Sequence, residues 1–390
     1  MASREIEVSV VMPCLNEAET IAACIDKAEA AFAAHGIVGE VVIGDNGSTD
    51  GSQAIAEKRG AIVAPVARRG YGAALMGGIA AARGRYVVMA DADDSYDFAE
   101  LHKFVDKLRG GADFVIGCRF PKGGGRIMPG AMPYLHRRLG TPVLTAISKI
   151  FFGTAIDDIN CGFRGFTMAV FKQMNLRSSG MEFASEMVMK AALMEIAVAQ
   201  VPITLHPDGR QREPHLRTWR DGWRHLRFML LYSPRWLFVI PGMVLFLCGL
   251  IGVVALANGP VSWGDVTFAT NSHIVSSMAT LLGFQIMSLG LIAKSYAVSR
   301  GLLPQRRLSD QVIRLMRMEH TIVAGIAISA TGIGLLIWAV TIWGGQDFGA
   351  LRPLEVPRIV IPSATLIVLG AQVFFSGFLL GLLGLHSDAD

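Results

Sequence analysis

Two hydrophobic patterns divide this chain. Up to about residue 232, short β-rich apolar runs alternate with longer stretches at helical spacing, and polar clusters separate them. The runs at 7–12, 40–43, 61–64, 86–90 and 113–117 read as strands. The stretches at 16–34, 50–59 and 72–82 read as the helices tied to them. Strands alternating with helices predict an α/β domain with a mainly parallel sheet covered on both faces. Beyond residue 232 the apolar runs become long. Four of them, about 236–257, 272–293, 321–343 and 359–385, contain no Asp, Glu, Lys or Arg. Each has the roughly 20 apolar residues that a helix needs to cross a bilayer. The expected organisation is a catalytic-type α/β domain over 1–210, an amphipathic connection over 211–235 and a four-helix transmembrane domain over 236–390.

Composition agrees, since 52% hydrophobic and 17% charged residues is too apolar for an ordinary soluble protein of 390 residues. The net charge of +4 is modest, and no nucleic-acid partner is expected from it. The placement of the charge carries more information. Arg210, Arg212, Arg217, Arg220, Arg224, Arg227 and Arg235 precede the first apolar run. Lys294, Arg300, Arg306, Arg307, Arg314 and Arg317 lie between the second and third. The loop 258–271 has no basic residue, and only Arg352 and Arg358 follow Trp343 before the last run. The positive-inside bias therefore predicts a cytoplasmic N-terminal domain, middle loop and C-terminus. The N-terminus carries no charged-then-apolar leader, which agrees with that orientation.

Two segments read as membrane-surface helices. Over 217–230, Arg217, Arg220, Arg224 and Arg227 share one side, and Trp219, Trp223, Leu226 and Leu230 share its neighbour. That arrangement suits a helix in the headgroup layer, the alternative being a basic helix packed on the first domain. The apolar stretch 126–152, with Arg137 and Arg138, reads as a second membrane-touching helix or as a buried amphipathic one. The five cysteines form no C-x-x-C pair, so neither a disulfide framework nor a structural zinc site is expected.

The candidate chemistry falls at strand ends, where parallel α/β sheets bind ligands. Asp91-Ala92-Asp93 directly follows the fourth run. Two carboxylates so spaced on a turn can grip Mg²⁺ or Mn²⁺, which prefer oxygen ligands and leave positions open for phosphate. Such a cation would neutralise charge on a leaving diphosphate. Asp45-Asn46-Gly47-Ser48-Thr49-Asp50-Gly51 follows the second run. Gly47 permits a tight turn, Ser48, Thr49 or Asp50 can cap the next helix, and Asp45 stands where a base or ribose would be read. In Pro13-Cys14-Leu15-Asn16-Glu17, Asn16 reads as a helix cap and Glu17 as a first-turn acid that also faces the nucleotide.

In this order and spacing the three motifs resemble the inverting family-2 glycosyltransferases of the GT-A fold. Gly117-Cys118-Arg119-Phe120 is similar to that family's G-S-R-[YF] stretch. Asp158-Ile159-Asn160-Cys161-Gly162-Phe163-Arg164 resembles the D-x-x-S-G-[FY]-R motif of dolichyl-phosphate mannose synthases and related polyprenyl-phosphate enzymes. Glu182-Phe183-Ala184-Ser185-Glu186-Met187, followed by Val201-Pro202-Ile203, looks like the same subgroup. The resemblance implies that Pro13, Asn16, Glu17, Asp45 and Asp91 line the nucleotide pocket, and that Asp91 and Asp93 hold the metal. It implies Arg119 and Arg164 near the lipid phosphate or diphosphate, and Asp158 as the proposed base. Two positions depart from the family pattern. Asp94 and Ser95 stand where relatives often carry Leu-Gln, and 208–217 replaces a G-x-S-K segment and looks like a bacterial subgroup of lipid-phosphate glucose synthases.

A phosphate monoester is largely a dianion at pH 7 and can attack an anomeric carbon without a strong base. The acceptor side should then be lined by arginines, which bind phosphate in bidentate fashion. Arg119, Arg126, Arg137, Arg138, Arg164, Arg210 and Arg212 are the candidates. The expected function is inverting transfer from a UDP- or GDP-sugar to polyprenyl phosphate at the bilayer surface, with a homo-oligomer as one expected state of the protein. A processive polysaccharide synthase is the nearest alternative, but its Q-x-x-R-W motif has Tyr232 where Gln belongs. A glycolipid synthase with a hydroxyl acceptor would need Asp158 or Glu186 as a true base. A transporter or flippase is disfavoured because the apolar runs lack charged residues.

Overall fold

The computed structural model describes residues 5–210, 218–303, 318–349 and 357–384. Contacts divide the chain into two compact units, Met1–Met229 and Leu230–Asp390.

The first unit is built on a seven-stranded sheet. In chain order the strands are β1 (Val8–Cys14), β2 (Gly39–Asp45), β3 (Ile62–Pro65), β4 (Tyr86–Met89), β5 (Phe114–Cys118), β7 (Arg164–Thr167) and β8 (Val198–Pro202). Two-residue strands β6 (Arg126–Ile127) and β9 (Thr204–Leu205) form a separate parallel pair. The sheet order is β3-β2-β1-β4-β7-β5-β8, parallel except for β7, which runs antiparallel between β4 and β5. The mainly parallel α/β layout expected from the sequence is present, with one reversed strand added.

The local chemistry explains these elements. β1 is central and covered on both faces, so Val8, Val10, Val11 and Met12 are all fully buried. Ser9 sits among them because its hydroxyl donates to Glu40 Oε1 (2.7 Å) and accepts from the Gly84 N–H (2.8 Å). Helix α1 (Ile21–His35) buries Ile21, Cys24, Ile25, Ala28, Ala31 and Phe32 along one stripe. It ends at Gly36, whose left-handed backbone (φ 61°) lets its N–H close on Phe32 O. Helices α2 (Ser52–Lys58) and α4 (Leu101–Arg109) pack with α1. Helix α3 (Tyr71–Ala81) lies so close to β2 that a Cβ on Gly44 would stand 2.1 Å from Ala74 O. Helices α5 (Thr141–Phe152), α6 (Met168–Met174) and α7 (Glu182–Leu193) complete the cover. Helix α8 (Thr218–Leu231) follows. Its His225 and Met229 are buried, with His225 Nδ1 2.6 Å from Ser185 Oγ on α7, whereas Trp223 is 58% exposed. These contacts fit the alternative of a basic helix packed on the first domain. In the 126–152 stretch, a wide helical turn at His136–Gly140 leads into α5. Tyr134, Leu135, Leu139, Val143 and Ile150 are exposed along it.

Among the described residues the second unit holds four long apolar helices, Arg235–Ala257, Thr270–Ser299, Met318–Gly344 and Pro357–Leu383. The 30-residue second helix is about 45 Å long at 1.5 Å per residue, more than the roughly 30 Å of hydrocarbon it must cross. Small residues set the close approaches. A Cβ on Gly325 would meet Gly370 O at 2.7 Å, and one on Gly249 would meet the Thr280 N–H at 2.4 Å. Gln285 and Gln372 join side chains at 2.8 Å, and Ser277 and Thr365 do so at 2.6 Å.

Candidate active site

The C-terminal ends of β1, β2 and β4 lie side by side, with Cys14 opposite Asp45 and Val11 opposite Met89. The loops that follow carry the polar motifs, so the sheet brings Pro13–Glu17, Asp45–Gly51 and Asp91–Ser95 together.

Asp91 and Asp93 form an under-neutralised carboxylate pair. Asp91 Oδ1 accepts from the Tyr71 hydroxyl (2.9 Å). Burial, then the nearby Asp93 charge, push Asp91 up to about 6, against smaller opposite contributions from Tyr71, Arg210 and Arg119. Asp93 Oδ1 accepts from the Ser95 N–H (3.1 Å) and hydroxyl (2.6 Å). Its Oδ2 lies 3.3 Å from Arg210 Nη2. Among the described residues no group of three or more His, Cys, Asp or Glu is arranged to hold a metal. A divalent cation on this pair would fill its remaining positions with phosphate oxygens and water, as Mg²⁺ does at nucleotide sites. Two crowded carboxylates lacking a full counter-charge suit that ion. Ser95 is engaged with Asp93, and Asp94 adopts a left-handed backbone (φ 64°) and pairs with Lys27 at 2.6 Å. Neither is aimed as a third ligand.

The nucleotide-side candidates are positioned more tightly than the sequence indicates. Asp45 is 1% exposed and accepts from the N–H groups of Gly47 (2.9 Å) and Ser48 (3.2 Å) and from Gln53 Nε2 (2.5 Å). It therefore shapes its own turn. Asn16 does not cap the first helix. It takes a positive φ of 61°, accepts from the Thr49 N–H (2.8 Å) and ties the first motif to the second, while α1 begins at Ile21 behind Thr20. Glu17 is likewise outside the helix, 6% exposed, with Oε2 2.8 Å from Arg210 Nε. Pro13 is half-buried on β1 beside Gly44.

The Asp158 cluster has the opposite character. Asp158 is fully buried and binds Arg119 through Nε (2.7 Å) and Nη2 (2.9 Å), with the Arg119 N–H at 3.2 Å. A carboxylate so enclosed has both oxygens engaged by one guanidinium, which leaves neither free to act as a base. Arg164 is also fully buried, and its guanidinium donates to the carbonyls of Cys161 (2.8 Å), Ile159 (2.8 Å) and Ala184 (2.5 Å). It braces the loop before β7. Phe163 stacks on Phe104 at 4.2 Å and fixes the same loop from the other side.

Arg126, Arg137 and Arg138 are exposed, and Arg210 is partly covered. Arg212 and Arg217 lie outside the described residues, as do Arg306, Arg307, Arg314, Arg317 and Arg352, and the side chain of Arg220. The expected phosphate-binding arginines therefore divide between buried (Arg119, Arg164), donor-side (Arg210) and exposed positions.

The sequence did not single out Tyr71, Tyr96 or the need for glycine at 162. The Gly162 N–H donates to the Tyr96 hydroxyl (2.8 Å), and a Cβ there would stand 2.8 Å from Asp91 Oδ2. The Asp158–Arg164 loop and the Asp91–Ser95 loop thus touch through Gly162. The signal available in the sequence was the glycine within the Asp158 motif.

Residues 9–178 match Glycosyl transferase family 2, and residues 291–384 match the Glycosyltransferase family 2 C-terminal transmembrane region. The chain belongs to glycosyltransferase family 2 and is an integral membrane protein with a GT-A-like domain. It is 39% identical over 384 residues to the low-salt glycan biosynthesis hexosyltransferase Agl6 of Haloferax volcanii, covering 96% of this chain and 89% of that one. Glycosyltransferase AglJ of the same organism is 31% identical, with 73% and 92% covered. Its dolichyl-phosphate hexose transferase is 30% identical, with 50% and 82% covered. Among solved structures, glucosyl-3-phosphoglycerate synthase of Mycobacterium tuberculosis aligns at 22% identity and a TM-score of 0.44, over 57% of this chain and 78% of that one. That likeness is too slight to bear on chemistry.

Proposed function

We propose that this glycosyltransferase moves a hexose from a UDP- or GDP-sugar to polyprenyl phosphate, with inversion, at the cytoplasmic face of the membrane. The observation that carries the reading is the contrast between two aspartates, half-buried Asp91 and fully buried Asp158. Asp91, crowded by Asp93, lacks a full counter-charge, whereas Asp158 is matched by Arg119. The first arrangement favours a divalent cation, Mg²⁺ or Mn²⁺, held by Asp91 and Asp93. When bound, the cation would neutralise the leaving diphosphate. Asp45 and Asn16 shape the nucleotide side through their turns, and Tyr71 orients the Asp91 carboxylate.

The second arrangement favours an acceptor that brings its own charge. A hydroxyl acceptor needs a base, and Asp158, with both carboxylate oxygens on Arg119, is poorly placed to be one. A lipid phosphate needs none. Arg119, oriented by Asp158, is the residue we assign to that phosphate, with Arg164 as a brace of the loop. Arg126, Arg137 and Arg138 belong to the outer approach, where the exposed Leu135, Leu139 and Val143 suit an apolar boundary. The relatives' names, hexosyltransferase and dolichyl-phosphate hexose transferase, support the same substrate classes.

The test uses the full-length protein in lipid nanodiscs with radiolabelled UDP- and GDP-hexoses, Mn²⁺, and polyprenyl phosphate, polyprenol or diacylglycerol. Label is expected in the polyprenyl-phosphate product alone. Label in polyprenol or diacylglycerol, or a polymer formed without lipid phosphate, would overturn the proposal.

A further inference from the structure

Arg210 was considered above among the arginines of the acceptor, yet its contacts lie elsewhere. The strand β9 continues into a segment fastened along the Asp93–Tyr96 loop. Tyr96 bridges Leu205, the His206 N–H donates to Ser95 O (2.9 Å), and the Gly209 N–H donates to Asp93 O (2.9 Å). A Cβ on Gly209 would stand 3.0 Å from Thr20 Cγ2, so this backbone is tightly seated. It delivers the Arg210 guanidinium between two carboxylates, Nε at 2.8 Å from Glu17 Oε2 and Nη2 at 3.3 Å from Asp93 Oδ2. The three side chains are only 16%, 7% and 15% exposed, so this is not a loose surface pair.

From this geometry we infer that Arg210 is the resting counter-ion of the donor pocket, displaced from Asp93 by the divalent cation and transferred to the diphosphate that arrives with it. The inference rests on the donor-site reading above and deepens it. One guanidinium charge faces Glu17, Asp91 and Asp93, so the pocket without ligand is partly neutralised and Asp93 is engaged. A cation that takes Asp93 must break the Arg210 contact. The released guanidinium, held nearby by Gly209, has the planar fork that suits a diphosphate. Cation and nucleotide then favour each other's binding, because each compensates for what the other displaces. Cation binding without nucleotide is weak as long as Arg210 occupies the pocket.

The experiment is a Mn²⁺ titration by electron paramagnetic resonance, run on the full-length protein with Mn²⁺ alone and with Mn²⁺ plus UDP or GDP. Wild type, Arg210→Ala and Arg210→Lys are compared. Removing a charge-assisted contact from Asp93 should tighten nucleotide-free Mn²⁺ binding by Arg210→Ala about tenfold. The same variant should lose about tenfold in nucleotide affinity at saturating Mn²⁺, as a lost charged hydrogen bond to phosphate implies. Arg210→Lys keeps the charge and should keep nucleotide-free Mn²⁺ binding close to wild type, which separates the effect from a folding defect. Nucleotide that strengthens Mn²⁺ binding to wild type, together with unchanged nucleotide-free binding by Arg210→Ala, overturns this inference alone. If neither UDP nor GDP strengthens Mn²⁺ binding in wild type or variants, the donor-site reading itself fails.

Discussion

Asp91, half-buried, and Asp158, fully buried, are carboxylates in loops at strand ends of one sheet, and Gly162 joins their loops. Their surroundings differ in sign. Asp158 has a guanidinium bound across both of its oxygens. Asp91 has a phenol on one oxygen and a second carboxylate nearby. Protein charge closes the first site and leaves the second open. The difference teaches that a site for a cation is recognised by the counter-charge the fold withholds. Counting acidic residues at strand ends does not separate the two.

The sharpest way to break this contrast is to unpair the closed site. Asp158→Ala leaves the Arg119 guanidinium buried without a partner, which should cost about 3–5 kcal/mol of stability. A large fall in the thermal midpoint, with little recovery on adding Mn²⁺ and nucleotide, is the expected result. At the open site the effect should fall on binding. Asp93→Ala should lower activity by on the order of 100-fold or more, as loss of a direct metal contact implies. Its thermal midpoint without ligand should stay near wild type, because removing one of two repelling carboxylates relieves Asp91. A sugar-transfer assay with Mn²⁺ checks the first half, and thermal midpoints without ligand check the second.

Gly162 tests the boundary between the sites. Gly162→Ala would place a methyl group 2.8 Å from Asp91 Oδ2 and 3.0 Å from the Tyr96 hydroxyl. A displacement approaching 1 Å is worth up to about 100-fold in rate. A loss of roughly tenfold to 100-fold in kcat is expected, with far-ultraviolet circular dichroism unchanged.

The smallest effect is electrostatic and lies away from both sites. Burial would raise the Glu186 carboxyl, but Lys190 and the Ser178 N–H outweigh it and hold it below its ordinary value of 4.5. A folded-state pKa below the unfolded value stabilises above the unfolded pKa, and that gain is lost as pH falls through the folded value. Glu186→Gln should therefore be less stable than wild type near neutral pH. The gap should narrow as pH drops below about 4.5, seen in thermal midpoints across pH.

Much of this was legible in the residues. β1, β2, β4 and β5 read as strands because a sheet covered on both faces makes continuous apolar runs, and the four long helices read as spans from length alone. β7 was missed. Its four residues begin with Arg164, and nothing in Arg164-Gly165-Phe166-Thr167 signals reversed pairing between β4 and β5. Asn16 was misjudged as a helix cap because capping residues and left-handed turn residues share a chemistry, and only backbone geometry separates them. Arg164 looked like a phosphate ligand because a sequence does not show that three carbonyls converge on its guanidinium. The Tyr71 contact to Asp91 joins residues on different elements and was hidden for the same reason. The second apolar helix runs on to Ser299, past the expected end at 293, because Lys294 and Ser295 interrupt hydrophobicity without interrupting helix geometry.

The most direct test is to locate the cation. Anomalous diffraction from crystals of the full-length protein grown with Mn²⁺ and UDP or GDP would show where the metal sits. The account predicts one manganese peak in contact with the carboxylates of Asp91 and Asp93 and with diphosphate oxygen, with the Arg119–Asp158 pair intact. A peak at Asp158, or nucleotide bound with no metal at Asp91 and Asp93, would contradict it.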